Sequence, residues 1–194
     1  VPERNSLMEL KDFIKVYDDV LDLNLCRNAI DLFEHDTEVV TRQEVKDFCQ
    51  FSMLNITEET ETNNKKDWTV IHTQMLYAVK GCGERYMKDL DCEPFWPKLN
   101  SLEQVKMFKY ARNRDFFLRH IDVGDYQSAR RFISYFVFLN DVVEGGELRF
   151  PILDYTIQPK RGRVVLCPSS WQYPHSFEKP INDSYMITTY LHYQ

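Results

Sequence analysis

The sequence predicts an α+β domain in which helices precede a β-sandwich or β-barrel. Two patterns of apolar residues along the chain indicate this. Before about residue 100, apolar residues recur mainly at helical spacing. From about residue 104, short runs of β-branched and aromatic residues are separated by Gly, Pro and Asn-Asp turns. Because no linker composition separates the two parts, we expect a single domain over residues 1–194, with a helical lead-in over about 1–100 and a β core over about 104–194.

The helical part is predicted element by element. Residues 12–21 alternate like a strand that runs into a turn. A helix is expected over residues 24–34, with Asn24 as its N-cap. Residues 57–67 are polar and lack periodicity, which predicts a mobile surface loop that could act as a lid. A long amphipathic helix is expected over residues 68–90.

The β part is predicted from alternation and turn residues. Gly145 and Gly146 supply the positive φ that a tight hairpin needs, although such a turn also serves structure alone. The expected strands lie over residues 105–110, 132–139, 146–150, 156–158, 163–166 and 185–192.

Composition narrows the class of protein. The chain is 43% hydrophobic and 28% charged, which is typical of a globular domain, and its formal charge of −6 disfavours binding to nucleic acid. The chain has five cysteines, an odd number without a CxxC pair, so no disulfide framework is expected. This pattern favours a reducing compartment, and we expect the protein in the cytoplasm. The apolar runs are too short to cross a bilayer, so no membrane segment is expected.

The pattern His120-x-Asp122 offers two ligands for a divalent metal. In a strand, residues i and i+2 face the same side, so both side chains would point into one cavity. Of the other histidines, His175 follows a turn-rich segment and is the best third ligand, whereas His72 lies in the long helix. Two histidines and one carboxylate form the facial triad that leaves coordination positions open on an iron ion. A lone His-x-Asp also occurs without a metal, so the case depends on what accompanies it.

Several motifs resemble those of prolyl-4-hydroxylase-type 2-oxoglutarate/Fe(II) oxygenases, over most of the chain. Tyr110 lies ten residues before His120, where the family carries a tyrosine beside the co-substrate. Residues 131–140 resemble the family's R-x-x-T…YLN strand, with Arg131 as its first residue. Further matches are the Gly-Gly-Glu-Leu turn and the P-x-x-G strand before the distal histidine, at residues 144–150 and 159–168. The resemblance implies a double-stranded β-helix, a jelly-roll or cupin-like core, with the N-terminal helices packed on one sheet.

The chain departs from the family at the far end of the co-substrate pocket. Ser184 stands where the family has an arginine or lysine, and Phe138 stands where it has a tyrosine. A buried dicarboxylate without a cation is costly, so we favour a cation from elsewhere, for which the candidates are Arg131, Lys106 and Lys179. The second interpretation is that Ser184, Thr188 and Tyr110 hold the far carboxylate by neutral hydrogen bonds. A different co-substrate or an inactive site is the third.

The resemblance implies a dioxygenase that uses Fe(II) and 2-oxoglutarate, with ascorbate as an optional reductant. It would hydroxylate an unactivated C–H bond and release succinate and CO2, with a peptidyl proline as the suggested substrate and a small molecule as the alternative. The rings of Tyr126, Trp171 and Tyr173 could stack on such a substrate. The alternative function is a non-catalytic metal-binding β-helix domain that binds a peptide or small ligand. The oligomeric state stays open.

Overall fold

A computed structural model describes residues 8–194 of the chain. It contains three α-helices: α1 spans Leu23–His35, α2 spans Ile56–Glu61 and α3 spans Lys66–Leu90. The expected N-cap of α1 was wrong by two residues, because Asp22 rather than Asn24 caps the helix. The Asp22 carboxylate accepts hydrogen bonds from the backbone N–H groups of Asn24 and Leu25.

The expected loop over residues 57–67 was wrong over its first half, which forms α2. The Asn55 side chain caps this helix by accepting from the backbone N–H of Glu58. Its inner face is anchored by Ile56 and by Glu59, whose buried carboxylate lies 3.0 Å from Lys65 Nζ. A polar sequence therefore forms a helix here because the Asn55 cap and the contact of buried Glu59 with half-buried Lys65 stabilise it.

Twelve strands make up the rest of the domain. They are β1 Lys15–Tyr17, β2 Thr41–Val45, β3 Cys49–Asn55, β4 Asn100–Leu102, β5 Lys106–Tyr110, β6 Phe116–His120, β7 Arg131–Phe138, β8 Leu148–Phe150, β9 Tyr155–Ile157, β10 Val164–Pro168, β11 His175–Phe177 and β12 Ser184–Tyr193. All their pairings are antiparallel, and ten strands follow the order β1-β10-β7-β12-β5-β3-β6-β11-β8-β9. The curled sheet folds back on itself as a double-stranded β-helix, which confirms the predicted α+β class and core.

The expected β-core strands agree with the structure to within two residues at either end, but the N-terminal half is more than a helical lead-in. Strands β1, β2 and β3 come from this half and join the sheet. Strand β3 pairs with β5 on one side and with β6 on the other. It therefore connects the layer that contains β5, β12, β7 and β10 to the layer that contains β6, β11, β8 and β9.

Two apolar cores result from this arrangement. The outer core lies between the helices and one face of the β5-β12-β7-β10 layer, where Trp68 and Met75 of α3 pack with residues such as Val137 and Ile187. The inner core lies between the two layers and is rich in aromatic rings; it includes Phe51, Tyr110, Phe136, Phe138, Phe150 and Phe177. The helices therefore pack on one sheet, as expected.

All five cysteines are free, and four of them are buried. Over residues 8–194, no helix combines the length and the apolar character needed to cross a bilayer.

Candidate metal centre

The three residues expected to bind a metal come together at one edge of the inner core. His120 is the last residue of β6 and His175 is the first of β11, and the two are paired directly across the antiparallel ladder. Asp122 lies beyond the end of β6, so the expected strand alternation was wrong for this pair. The chain bends after Ile121 and returns the Asp122 carboxylate toward both imidazoles. One ligand atom from each of the three side chains lies within 4.8 Å of the others.

The atoms of the cluster are oriented for a metal ion. The Nδ1 atoms of His120 and His175 lie 2.9 Å and 3.1 Å from the backbone carbonyls of Leu118 and Tyr173. Because a carbonyl only accepts, each Nδ1 carries the proton and each Nε2 presents a lone pair. The Nε2 atom of His175 is buried without a hydrogen-bond partner, and it lies 3.8 Å from Asp122 Oδ2. A buried lone pair beside a carboxylate fits a divalent cation.

The electrostatic environment of His120 keeps its imidazole suited to this role. Burial, together with the neighbouring His175, lowers the pKa of His120 to about 4. His120 is therefore neutral near pH 7, which is the form that ligates a metal.

Two hydroxyl groups hold the Asp122 carboxylate in place. The Ser134 hydroxyl donates to Oδ2 at 2.6 Å, and the Tyr190 hydroxyl donates to Oδ1 at 3.1 Å. Since the proton of Ser134 is committed to the carboxylate, the Ser169 hydroxyl donates to Ser134 Oγ at 2.9 Å. Burial, followed by the charge of Asp122, raises the pKa of Tyr190, so its phenol stays protonated.

Aromatic rings surround the two histidines. Phe117 is stacked on His120 with ring centroids 3.6 Å apart. The rings of Phe136, Phe150 and Phe177 lie within 5.8 Å of the His175 ring. These rings limit access of water to one side of the ligands.

The residues expected around a co-substrate lie on the inner face but in different environments. Tyr110 is buried and stacks on Phe177 at 5.5 Å. Ser184 is the register partner of Tyr110, and Thr188 lies four residues further along β12. Arg131 forms a two-pronged ion pair with Glu103 at 2.8 Å and 2.7 Å and donates to the Asp122 carbonyl at 2.8 Å.

The three rings expected at the mouth of the site are not equivalent. Tyr126 is 94% exposed and Trp171 is 71% exposed, and each lies four residues from a ligand. Tyr173 is buried, and its hydroxyl donates to the Leu10 carbonyl. The position expected for Tyr173 was therefore wrong, because its ring packs inside rather than facing a substrate.

Sequence reasoning missed the residues that support Asp122. Tyr190 shares the inner face of β12 with Ser184, Met186 and Thr188, and this parity was a usable signal. Ser169 carried no such signal, because its place depends on the pairing of β10 with β7.

The cluster has the composition of a 2-His-1-carboxylate metal site, and it lies in a jelly-roll domain. Comparison with known families finds that residues 105–192 match the model of the 2OG-Fe(II) oxygenase superfamily. The matched segment contains all three candidate ligands, and the match supports a 2-oxoglutarate-dependent dioxygenase that uses Fe(II).

Solved structures show the same fold. A prolyl-4-hydroxylase from Pseudomonas putida is 18% identical with a TM-score of 0.70, over 94% of this chain and 93% of that one. A Trichoplax adhaerens prolyl hydroxylase in complex with a hypoxia inducible factor peptide is 14% identical, with a TM-score of 0.71, over 93% and 84%. A viral collagen prolyl hydroxylase from Paramecium bursaria Chlorella virus-1, in its 2OG complex, is 14% identical with a TM-score of 0.65, over 94% and 97%. No curated protein sequence matches the chain significantly.

Proposed function

We propose that His120, Asp122 and His175 hold the Fe(II) ion and that the enzyme hydroxylates a prolyl residue of a peptide. The observation that carries the metal assignment is the buried, unpartnered Nε2 atom of His175 within reach of the other two ligands. Leaving this atom without a partner is costly in a buried site, and a metal ion would satisfy it.

The chain's own residues provide binding and orientation. Asp122 contributes the negative charge, and Ser134 and Tyr190 fix the direction of its two oxygens. The rings of Phe117 and Phe177 keep water from one side of the histidines. When bound, Fe(II) with 2-oxoglutarate and dioxygen supplies the oxidising power for C–H hydroxylation, with succinate and CO2 as co-products.

Two observations support a peptidyl proline as substrate. The solved structures with this fold include prolyl hydroxylases, one of them in complex with a peptide. The exposed rings of Tyr126 and Trp171 lie on the loops that carry Asp122 and His175, and aromatic faces pack well against a proline ring. We also place the protein in the cytoplasm, a proposal supported by its five free thiols.

Metal titration tests the ligand assignment. We expect His175→Ala to weaken Mn(II) binding by more than the roughly hundredfold loss seen when only an outer partner of a ligand is removed. His72→Ala is the matched control, because His72 is also buried but contacts Thr57 from α3. Equal metal affinity in wild type and His175→Ala would refute the assignment.

Product analysis tests the reaction and substrate. The iron-loaded protein should convert 2-oxoglutarate to succinate and add one oxygen atom to a proline-containing peptide, which mass spectrometry detects. Trp171→Ala should raise KM for the peptide without changing metal affinity, whereas Phe95→Ala, which truncates an exposed ring outside the site, should change neither. Metal binding without succinate formation would instead favour the non-catalytic alternative. Succinate formation without peptide oxidation would reject the prolyl substrate alone.

A further inference from the structure

The far carboxylate of 2-oxoglutarate needs a partner in this protein, and the question rests on the proposed metal site. A carboxylate that leaves water is stabilised by a cation or by several donors. Ser184, where the sequence resemblance places a base, is 3% exposed and carries no charge. Its surroundings are Tyr110 across the ladder and, along the same face, Met186. Neither of these neighbours carries a charge.

Two of the three candidate cations are less suitable, because Arg131 is paired with Glu103 and Lys179 lies outside the inner core. Arg131 is held by both oxygens of Glu103, and its guanidinium lies 4.0 Å from the centre of the Tyr190 ring. Lys179 Nζ lies 5.1 Å from the centre of the Phe116 ring. Because Phe116 alternates with Phe117, which stacks on His120, Lys179 lies over the outer face of β6.

Lys106 lies on the inner face of β5. Its neighbours at i+2 and i+4, Phe108 and Tyr110, pack in the inner core, whereas Met107 belongs to the outer core. Alternation along the strand therefore directs Lys106 inward. Within residues 8–194, its ammonium group forms no ion pair and no side-chain hydrogen bond, and the residue is half-buried.

The register places Lys106 near Tyr190, one of the residues that support Asp122. Its direct partner on β12 is Thr188, at a Cα separation of about 5 Å for such pairs. Two residues further along the same face, the Tyr190 hydroxyl contacts Asp122. The Thr188 side chain is 5% exposed and forms no side-chain hydrogen bond with the described residues. The Lys106 ammonium group and the Thr188 hydroxyl therefore belong to paired residues, two positions along β12 from Tyr190, which supports Asp122.

We propose that Lys106, with Thr188 beside it, binds the far carboxylate of 2-oxoglutarate in place of the absent base at position 184. The ammonium group supplies the charge and the hydroxyl supplies a second donor. The co-substrate is then recognised from β5 rather than from the start of β12.

Calorimetric titration of Mn(II)-loaded protein, in which no turnover occurs, measures this contact directly. Lys106→Met keeps an unbranched apolar side chain and removes the charge, and we expect it to weaken 2-oxoglutarate binding about tenfold to a hundredfold. Binding of 2-oxopentanoate, which has a methyl group in place of the far carboxylate, should be the same in wild type and variant. Lys179→Met is the matched control and should bind 2-oxoglutarate like wild type.

Each outcome decides the proposal. Unchanged 2-oxoglutarate binding in Lys106→Met overturns it, and so does an equal loss for both oxo acids, which would indicate a merely structural role. A wild-type protein that binds Mn(II) but neither oxo acid overturns both the Lys106 contact and the use of this co-substrate. A wild-type protein that binds no metal refutes the metal site itself, and with it the Lys106 contact.

Discussion

Replacing Ser134 with alanine removes one of the two hydroxyl groups that orient Asp122. The Ser134 side chain is fully buried, and its hydroxyl donates to Oδ2 at 2.6 Å. Without it, that oxygen keeps no other hydrogen-bond donor among residues 8–194, while Tyr190 still contacts Oδ1. The carboxylate then rotates more freely and presents its charge to the metal less effectively.

The size of the effect follows from the type of contact. A hydrogen bond to a charged group contributes about 1.5–3 kcal/mol. Loss of an outer partner of a metal ligand costs roughly tenfold to a hundredfold in metal affinity, or about 1.4–3 kcal/mol. The two magnitudes agree, so we expect Ser134→Ala to weaken Mn(II) binding by that factor.

The assay is a direct Mn(II) titration, with thermal unfolding of the metal-free protein measured alongside. Ser176→Ala is the matched control, because it removes a buried strand hydroxyl that donates to Glu178 instead. Ser134→Thr retains a hydroxyl and should recover most of the affinity. If Ser134→Ala and Ser176→Ala bind Mn(II) as tightly as wild type, the proposed orientation of Asp122 by Ser134 is refuted.

Three further predictions concern stability and are measured by chemical denaturation. Gly145→Ala should destabilise the fold by more than about 1 kcal/mol, because φ is +71° and the new Cβ would lie 2.0 Å from the Lys179 carbonyl oxygen. Gly81→Ala should instead stabilise the fold by about 0.5–1 kcal/mol, because Gly81 lies in a helix and its new Cβ would meet nothing within 4 Å. Equal effects of the two substitutions would contradict this prediction. Asp115→Asn should cost about 1.5–3 kcal/mol, because it removes the charge from the buried carboxylate that accepts hydrogen bonds from two nitrogens of Arg42. A loss below about 1 kcal/mol would reject this. Burial raises the pKa of Asp115, but hydrogen bonds led by Arg42 outweigh it and hold the pKa below its usual range, so wild type should lose this stability as pH falls below about 4 and Asp115→Asn should show a flatter acid limb.

The β core could be predicted because its strands alternate and its turns contain glycine, as at Gly145 and Gly146, both of which have positive φ. Strand β2 could not, because all five of its residues are exposed and it has no apolar face to show period two. Helix α2 was missed because its stability comes from the Asn55 cap and from the contact of Glu59 with Lys65, which lies outside the helix. The local periodicity of apolar residues carries no information on the cap or on this contact.

The clustering of His120, Asp122 and His175 could be predicted from residue type and motif resemblance, but its detailed geometry could not. Asp122 reaches the histidines through a bend after β6, which the His-x-Asp spacing does not reveal. The roles of Arg131 and Tyr190 depend on Glu103 and on the pairing of β12 with β7. Such roles follow from contacts between distant segments, which a single sequence does not display.

The position of β3 between β5 and β6 means that the candidate site depends on a strand from outside the segment that carries its residues. All three candidate ligands lie within residues 105–192, yet the strand that carries His120 borders β11 on one side and β3 on the other. Cys49 and Gln50, which pair with Phe117 and Phe116, come from about 67 residues earlier in the sequence. A fragment that contains every candidate ligand but lacks β3 would leave β6 with an unpaired edge. We therefore expect metal binding to require the assembled domain rather than only the segment that bears the motif.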